Sequence, residues 1–117
     1  MTTCSLEQLK ASRCTPCEGG VPAVGLKEAQ EQLSILSGWA LDESGKSIAK
    51  SWNCKNFVKS LGFCNRIGEL AEAEAHHPDL HLTGYRHVKV VLTTHAIGGL
   101  SLNDFVLAAK IDALPPG

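Results

Sequence analysis

All five histidines in this chain lie between positions 76 and 95, and four of them lie close to two turn signals. The four are His76, His77, His81 and His95, and the turn signals are at Pro78 and Gly84. Turns bring the ends of neighbouring elements together, so several of these imidazoles can reach one place. An unperturbed imidazole titrates at about pH 6.5, which suits it to donate and accept protons near neutrality. The first hypothesis is therefore acid/base chemistry.

A carboxylate and the end of a helix accompany these histidines. Glu72 precedes His76 by four residues, one helical turn back on the same face, where it can orient the imidazole. The adjacent His76 and His77 point in different directions, so both can serve one pocket only where the helix ends. Pro78 marks such an end, and His95 follows the next strand-like segment. The spacing predicts a pocket with three histidines and one carboxylate.

The same residues also permit other interpretations. A protonated histidine interacts favourably with the dipole at the C-terminus of a helix, and this interaction alone would explain His76. Glu72 fits the exposed face of a helix equally well, and we assign His81 and His87 to solvent or to a sheet face. Three imidazoles near one carboxylate also describe a zinc site. Spacing therefore leaves catalytic, structural and metal-binding roles open.

Composition limits the function classes. The 117 residues suffice for one domain with a single core, so any substrate should be small. The 11 Lys and Arg nearly balance the 12 Asp and Glu, and no basic run exceeds a pair, which disfavours nucleic acid binding. No apolar stretch approaches the roughly 20 residues of a membrane span. We expect a soluble cytoplasmic protein without membrane contact, with an organelle as the alternative location.

The chain has an odd number of cysteines, which argues against disulfide stapling and favours a reducing compartment. Cys14 and Cys17 have the spacing of half a zinc site or of a redox pair. A zinc ribbon requires a second such pair, and Cys54 and Cys64 are too far apart to supply it. We interpret Cys14 and Cys17 as parts of an irregular arm and leave their role open.

Apolar periodicity predicts the elements of the first half of the chain. Residues 1–25 are polar and Gly/Pro-rich at their end, which predicts a loosely ordered N-terminal arm, with one domain at 26–117. A helix is predicted over 26–36 and a hairpin over 39–52, turning at Gly45. A long helix follows over 55–75, capped by Asn53. Its apolar face should carry Phe57, Leu61, Cys64, Ile67, Leu70 and Ala71.

Two strands and a helix are predicted for the second half. Leu80 and Leu82 alternate with polar residues, and over 86–94 one face carries Val88, Val90 and Leu92. Ser101 with Asp104 three positions later signals the start of the last helix. The order α-β-β-α-β-β-α predicts an α+β fold, a four-stranded antiparallel sheet with helices packed on one face.

The combined pattern resembles the pterin-4a-carbinolamine dehydratase family. The residues that carry the resemblance are Glu72-x-x-x-His76-His77-Pro78, Tyr85, Thr93-Thr94-His95 and Gly98-Gly99-Leu100-Ser101-x-x-Asp104. The similarity extends from Gly38-Trp39, through Phe57 and Gly62-Phe63-x-x-Arg66, to the last helix. It covers most of the chain, and residues 1–25 lie outside the core of the resemblance.

The resemblance implies a four-stranded antiparallel fold and a reaction without metal or cofactor. That reaction is loss of water from a 4a-hydroxytetrahydrobiopterin to give quinonoid dihydrobiopterin, which recycles the cofactor of aromatic amino acid hydroxylases. It implies that His76 and His95 transfer protons, with Glu72 as their partner carboxylate. The implied substrate-binding residues are His77, Pro78, Thr94 and Asp104.

The last helix suggests an interface. Its residues Phe105, Val106, Leu107, Ala108, Ala109 and Ile111 are too apolar all round for a free surface helix. We expect a homo-oligomer, a dimer or a tetramer as the resemblance implies, with this helix in the interface. The same apolarity favours the alternative function of a non-catalytic interaction or assembly module. A third hypothesis is a small metal-binding protein that uses the histidines or Cys14 and Cys17.

Overall fold

The computed structural model describes residues 5–12 and 23–116. The helices are α1 (Leu6–Ala11), α2 (Leu26–Leu33), α3 (Phe57–Glu74) and α4 (Leu102–Asp112). The strands are β1 (Ala40–Leu41), β2 (Ile48–Asn53), β3 (Asp79–Thr83) and β4 (His87–Leu92), and a 3-10 helix spans His95–Ile97. Within the described residues, no helix combines the length and apolarity needed to cross a membrane. Apart from α1, the order of elements is the predicted one.

The four strands form one antiparallel sheet in the order β1-β2-β4-β3. In the central strand β4, Val88, Val90 and Leu92 are fully buried, whereas His87 and Lys89 are exposed. This period of two puts one face of the sheet against the helices and leaves the other to solvent. The predicted α+β fold is confirmed.

Helix α3 lies on the sheet with a face that overlaps the predicted one at Ile67 and Ala71. Its buried side chains include Phe63 and Ile67, while Phe57 and Leu61 are 51% and 44% exposed. The polar Ser60 can be buried because its hydroxyl donates to carbonyl oxygens of Asn56 and Tyr85, 2.7 and 3.0 Å away. The N-cap is Asn56, not Asn53, since the Asn56 side chain accepts from the Lys59 N–H. Sequence periodicity therefore found the helix and the second half of its buried face, but not the first half.

Helix α4 is the centre of the core. Ser101 and Asp104 form the predicted capping box at its start. All six apolar residues assigned to an oligomer interface are at most 1% exposed within the single chain, which corrects that assignment. The six are Phe105, Val106, Leu107, Ala108, Ala109 and Ile111. The helix is apolar all round because it is surrounded by other elements of its own chain.

Helix α1 is the unpredicted element that completes this enclosure. Its N-terminus has a capping box between Ser5 and Gln8, and Leu9 is fully buried in the core shared with α4. Further along, the Val24 N–H donates to the Leu100 carbonyl, 2.8 Å away, just before α4 begins. Cys14 and Cys17 lie outside the described residues, and the division of the chain at residue 25 stays a prediction.

Candidate active site

Helix α3 ends in a left-handed turn that sets the direction of the two adjacent histidines. Ala75 has φ 55° and ψ 35°, and its N–H donates to the carbonyls of Ala71 and Glu72. The His76 N–H donates to the Ala71 carbonyl at 3.2 Å, which completes a Schellman-type end. Because Pro78 disfavours helical backbone at the residue before it, the chain leaves the helix here. His76 and His77 therefore follow a turn rather than the helix.

The turn sends the two imidazoles in opposite directions. His76 is buried, 5% exposed, and its Nε2 lies 2.7 Å from Oδ1 of Asp104. His77 is exposed, and its Nε2 lies 2.7 Å from Oε1 of Glu72. Glu72 thus partners His77. The four-residue spacing had instead predicted His76 as its partner. That spacing aligns side chains only within a continuous helix, and the helix ends before His76.

Asp104 is held from both sides at the start of α4. Its Oδ2 accepts from the Ser101 N–H at 3.0 Å and from the Thr94 hydroxyl at 2.8 Å. The hydroxyls of Thr94 and Ser101 lie 2.7 Å apart, and all three residues are fully buried. The N-terminus of a helix favours a negative charge, so the position of Asp104 beneath His76 suits a carboxylate.

A buried ion pair joins the two helices that carry this network. Lys110 Nζ on α4 lies 2.7 Å from Oε2 of Glu74, the last residue of α3. Both side chains are largely buried, at 15% and 6% exposure. The pair therefore fixes the end of α3, from which His76 emerges, against the helix that carries Asp104.

His95 approaches the same place from the end of the sheet. It begins the 3-10 helix after β4, and a bridge between Thr94 and Gly99 closes the loop around it. His95 is exposed at a cleft of about 180 Å³ whose walls also include His76 and His77. The structure thus brings the three predicted histidines of the pocket together. The other two, His81 and His87, are exposed on strands, as expected.

The remaining predicted residues surround the cleft without all facing it. Thr94 borders the cleft, but its hydroxyl is engaged with Ser101 and Asp104. Pro78 lines an adjoining groove, and Asp104 lies beneath His76 rather than at the surface. Arg66, from the family-like pattern, donates through Nη2 to the Pro115 carbonyl at 2.8 Å. Sequence reasoning missed the contribution of Ser101, which its capping-box pattern with Asp104 signals.

The chemistry available here is proton transfer. Two of the three imidazoles each lie beside a carboxylate, an arrangement that fixes the ring and balances positive charge when the ring is protonated. In the described part of the chain, no group of three or more His, Cys, Asp or Glu is arranged to hold a metal ion. Burial raises the pKa of the nearby Cys64 thiol, and Cys54 raises it further, so this thiol is a weak nucleophile at neutral pH.

Comparison with known proteins identifies relatives along nearly the whole chain. The family described as pterin 4 alpha carbinolamine dehydratase matches residues 22–114. Pterin-4-alpha-carbinolamine dehydratase 2, mitochondrial, of Arabidopsis thaliana is 46% identical over 116 residues, which are 97% of this chain and 62% of that protein. A Methylococcus capsulatus protein assigned provisionally to the same dehydratase is 40% identical, with 97% of this chain and 96% of that protein covered.

Solved structures show the same fold. The crystal structure of a transcriptional coactivator/pterin dehydratase from Brucella melitensis matches with a TM-score of 0.73 and 30% identity, over 79% of this chain and 97% of that one. A pterin dehydratase-like protein identified as a RuBisCO assembly factor matches at 0.54 and 19% identity, covering 65% and 87% of the two chains. The second likeness concerns the fold alone. With the match over residues 22–114, the chain belongs to the pterin-4a-carbinolamine dehydratase family.

Proposed function

We propose that this protein dehydrates 4a-hydroxytetrahydrobiopterin to quinonoid dihydrobiopterin and water by histidine acid/base catalysis. The observation that carries the proposal is the buried His76–Asp104 pair at a cleft that also contains His77 and His95. Family membership supports the same reaction. The product returns, in this proposal, to the tetrahydropterin cofactor pool of aromatic amino acid hydroxylases.

The reaction itself requires two proton transfers. The hydroxyl on C4a leaves as water only after it receives a proton, and the N5 proton is removed as the C4a=N5 double bond forms. One group must therefore donate and another must accept, on either side of the reacting bond. Proton donation and removal balance and no electrons are transferred, so the reaction needs no redox partner.

Each side chain at the cleft has a role in this proposal. His76 and His95 transfer the two protons, and Asp104 is a positioning residue that fixes the ring of His76 through Nε2. His77 binds the pterin, and Glu72 orients the His77 ring. Imidazoles suit this work because they exchange protons readily near neutral pH.

The direct test is an assay of a synthetic 4a-hydroxytetrahydropterin with the purified protein. We expect faster loss of water than in buffer alone, and the same rate after treatment with a chelator. Stoichiometric zinc, with activity lost on its removal, would instead support the metal-binding hypothesis. No acceleration at all would leave the chain with the family fold and without the proposed activity.

A non-catalytic assembly role is the second candidate. The apolar side chains of Phe57 and Val58 at the start of α3 are 51% and 78% exposed, which suits a protein contact. The assembly factor named above shares the fold, at an identity too low to carry its function over. One measurement separates the two candidates. If the protein is only a scaffold, His76→Ala should change no reaction rate, whereas a dehydratase should lose activity.

The oligomeric state and the location also remain proposals. We propose a homo-oligomer, a dimer or a tetramer, whose contacts lie outside the enclosed helix α4. We propose a reducing compartment, the cytoplasm or an organelle, because an odd cysteine count disfavours disulfide stapling. Light scattering and fractionation of cells that express the tagged protein test the two statements.

A further inference from the structure

Two buried contacts join the end of α3 to α4. One is the His76–Asp104 pair and the other is the ion pair of Glu74 with Lys110, each with 2.7 Å between its two polar atoms. Glu74 lies two residues before His76 in the chain, and Lys110 lies six residues after Asp104. At a rise of about 1.5 Å per residue, the two contacts are attached to α4 about 9 Å apart along its axis. Two attachment points fix the direction of the end of α3, whereas a single point leaves it free to pivot.

Stability alone does not account for the ion pair. Glu74 is the last residue of α3, where the negative end of the helix dipole makes a carboxylate unfavourable. Both side chains are largely removed from water, and a buried ion pair is often no more stabilising than an apolar pair of similar volume. Charged residues therefore occupy a place where apolar ones would stabilise the fold equally well. Such a departure from the local rules indicates a role in the geometry of a functional site.

The need for a fixed geometry arises at His76. Asp104 is held by two further hydrogen bonds at its Oδ2, so its carboxylate cannot follow a displaced imidazole. Ala75, between Glu74 and His76, is in the left-handed conformation where the helix ends, and helix ends fray readily. An ion pair has a defined distance and direction, while an apolar contact allows the two groups to slide. Holding Glu74 therefore holds the backbone from which the His76 ring reaches Asp104.

We infer that Glu74 and Lys110 are positioning residues for His76, and that their ion pair serves the geometry of proton transfer rather than the stability of the fold. Neither side chain lines the cleft, so both act through the two helices that carry the pair. The part of the inference that concerns catalysis rests on the proposed function, in which His76 transfers a proton.

The first test removes both charges and keeps the volume of the side chains. In Glu74→Met/Lys110→Met no charge is left buried without a partner, so we expect a urea denaturation midpoint equal to or above that of the wild type. For dehydration of a 4a-hydroxytetrahydropterin we expect kcat to fall by about tenfold with little change in KM, since a displacement of about 1 Å can cost about 10²-fold. Lys110→Arg keeps the positive charge and should retain most of the activity.

The His76 ring provides a second readout that is independent of turnover. A proton lies between Nε2 of His76 and Oδ1 of Asp104, whichever atom carries it. Because both residues are buried, exchange of this proton with water requires the pair to open. Proton NMR should therefore show a protected signal in the wild type, which His76→Ala assigns by its absence. We expect Glu74→Met/Lys110→Met to lose this signal.

Another contact between a lysine and a carboxylate provides the matched control. Lys50 Nζ lies 2.8 Å from Oδ1 of Asp112, and this pair joins the same end of α4 to β2 instead of α3. Lys50→Met/Asp112→Asn removes both charges and keeps an oxygen that can accept from Trp39 Nε1. The control variant should have the kcat and the protected His76 signal of the wild type.

The outcomes separate the inference from the proposed function. A stable Glu74→Met/Lys110→Met variant with a low kcat and no protected signal supports the inference. The same variant with wild-type kcat and a wild-type signal overturns it, as does failure of this variant to fold, because the pair then serves stability. Equal losses in the control variant overturn it as well. If the wild type dehydrates no 4a-hydroxytetrahydropterin, the proposed function fails, and the His76 signal alone decides whether the ion pair positions the ring.

Discussion

Asp104 and His76 form a buried pair, with 2.7 Å between Oδ1 and Nε2, although 28 residues separate them in the chain. The carboxylate belongs to the capping box of α4, and the imidazole follows the end of α3. One side chain thus begins a helix and holds a histidine of the cleft. Because stability and, in the proposed function, proton transfer share this carboxylate, a substitution there should affect both in a recognisable way.

We predict that Asp104→Asn lowers kcat by at least about tenfold with little change in KM, because an amide no longer fixes the ring or balances its charge. The free energy of unfolding should fall by about 1–3 kcal/mol, as expected for buried hydrogen bonds to a charged group. Steady-state kinetics and urea denaturation measure the two effects.

Asp112→Asn is the matched control for this variant. Asp112 lies at the other end of α4 and accepts from Lys50 Nζ at 2.8 Å and from Trp39 Nε1 at 3.0 Å. It should lose stability and keep kcat. Equal loss of kcat in both variants would show that Asp104 acts only through the stability of α4.

The three histidines should separate by kinetic parameter. His76→Ala and His95→Ala should each lower kcat by about 10²- to 10⁴-fold, the usual contribution of a positioned general acid or base. His77→Ala should chiefly raise KM. Glu72→Gln should raise KM by a smaller factor, because Glu72 holds the His77 ring. Wild-type kinetics in all three folded alanine variants would place the site elsewhere.

Glycine in place of Ala75 should stabilise the left-handed turn at the end of α3. A residue with a side chain in the left-handed conformation costs about 1–2 kcal/mol, and glycine avoids this cost. Glycine also gives the unfolded chain more conformational freedom, which offsets about 0.4–1 kcal/mol of the gain. Ala75→Gly should therefore raise the free energy of unfolding by about 0.5 kcal/mol and leave KM and kcat unchanged. Urea denaturation beside the wild type measures the gain, and a loss of stability would contradict the strain assigned to this turn.

A charge placed within α4 should prevent folding rather than assembly. Val106 is 1% exposed, so Val106→Glu buries a carboxylate and should cost more than about 4 kcal/mol. Val58→Glu, at a side chain 78% exposed on α3, should change the free energy of unfolding by less than about 0.5 kcal/mol. Circular dichroism and light scattering follow folding and mass. A folded Val106→Glu monomer would restore the interface role first assigned to this helix.

Local patterns determined much of this protein from sequence alone. The alternation of Val88, Val90 and Leu92 defined the buried face of β4, and Ser101 with Asp104 marked the start of α4. Pro78 indicated where the helix before it ends. These predictions succeed because they depend on backbone geometry within a few residues, which short-range sterics and hydrogen bonds decide.

Long-range packing decided what those patterns left open. The sequence could not show that Asp104 holds His76 and that Glu72 holds His77, because the left-handed Ala75 ends the helical alignment between residues 72 and 76. It could not show that Phe57 and Leu61 at the start of α3 stay exposed, since several stripes of the helix are apolar and packing against the sheet selects among them. Nor could it tell an apolar helix covered by a second copy from one covered by α1, whose Leu9 completes the core of the same chain. Burial is a property of the folded chain, and identical apolar surface is removed from water in either case.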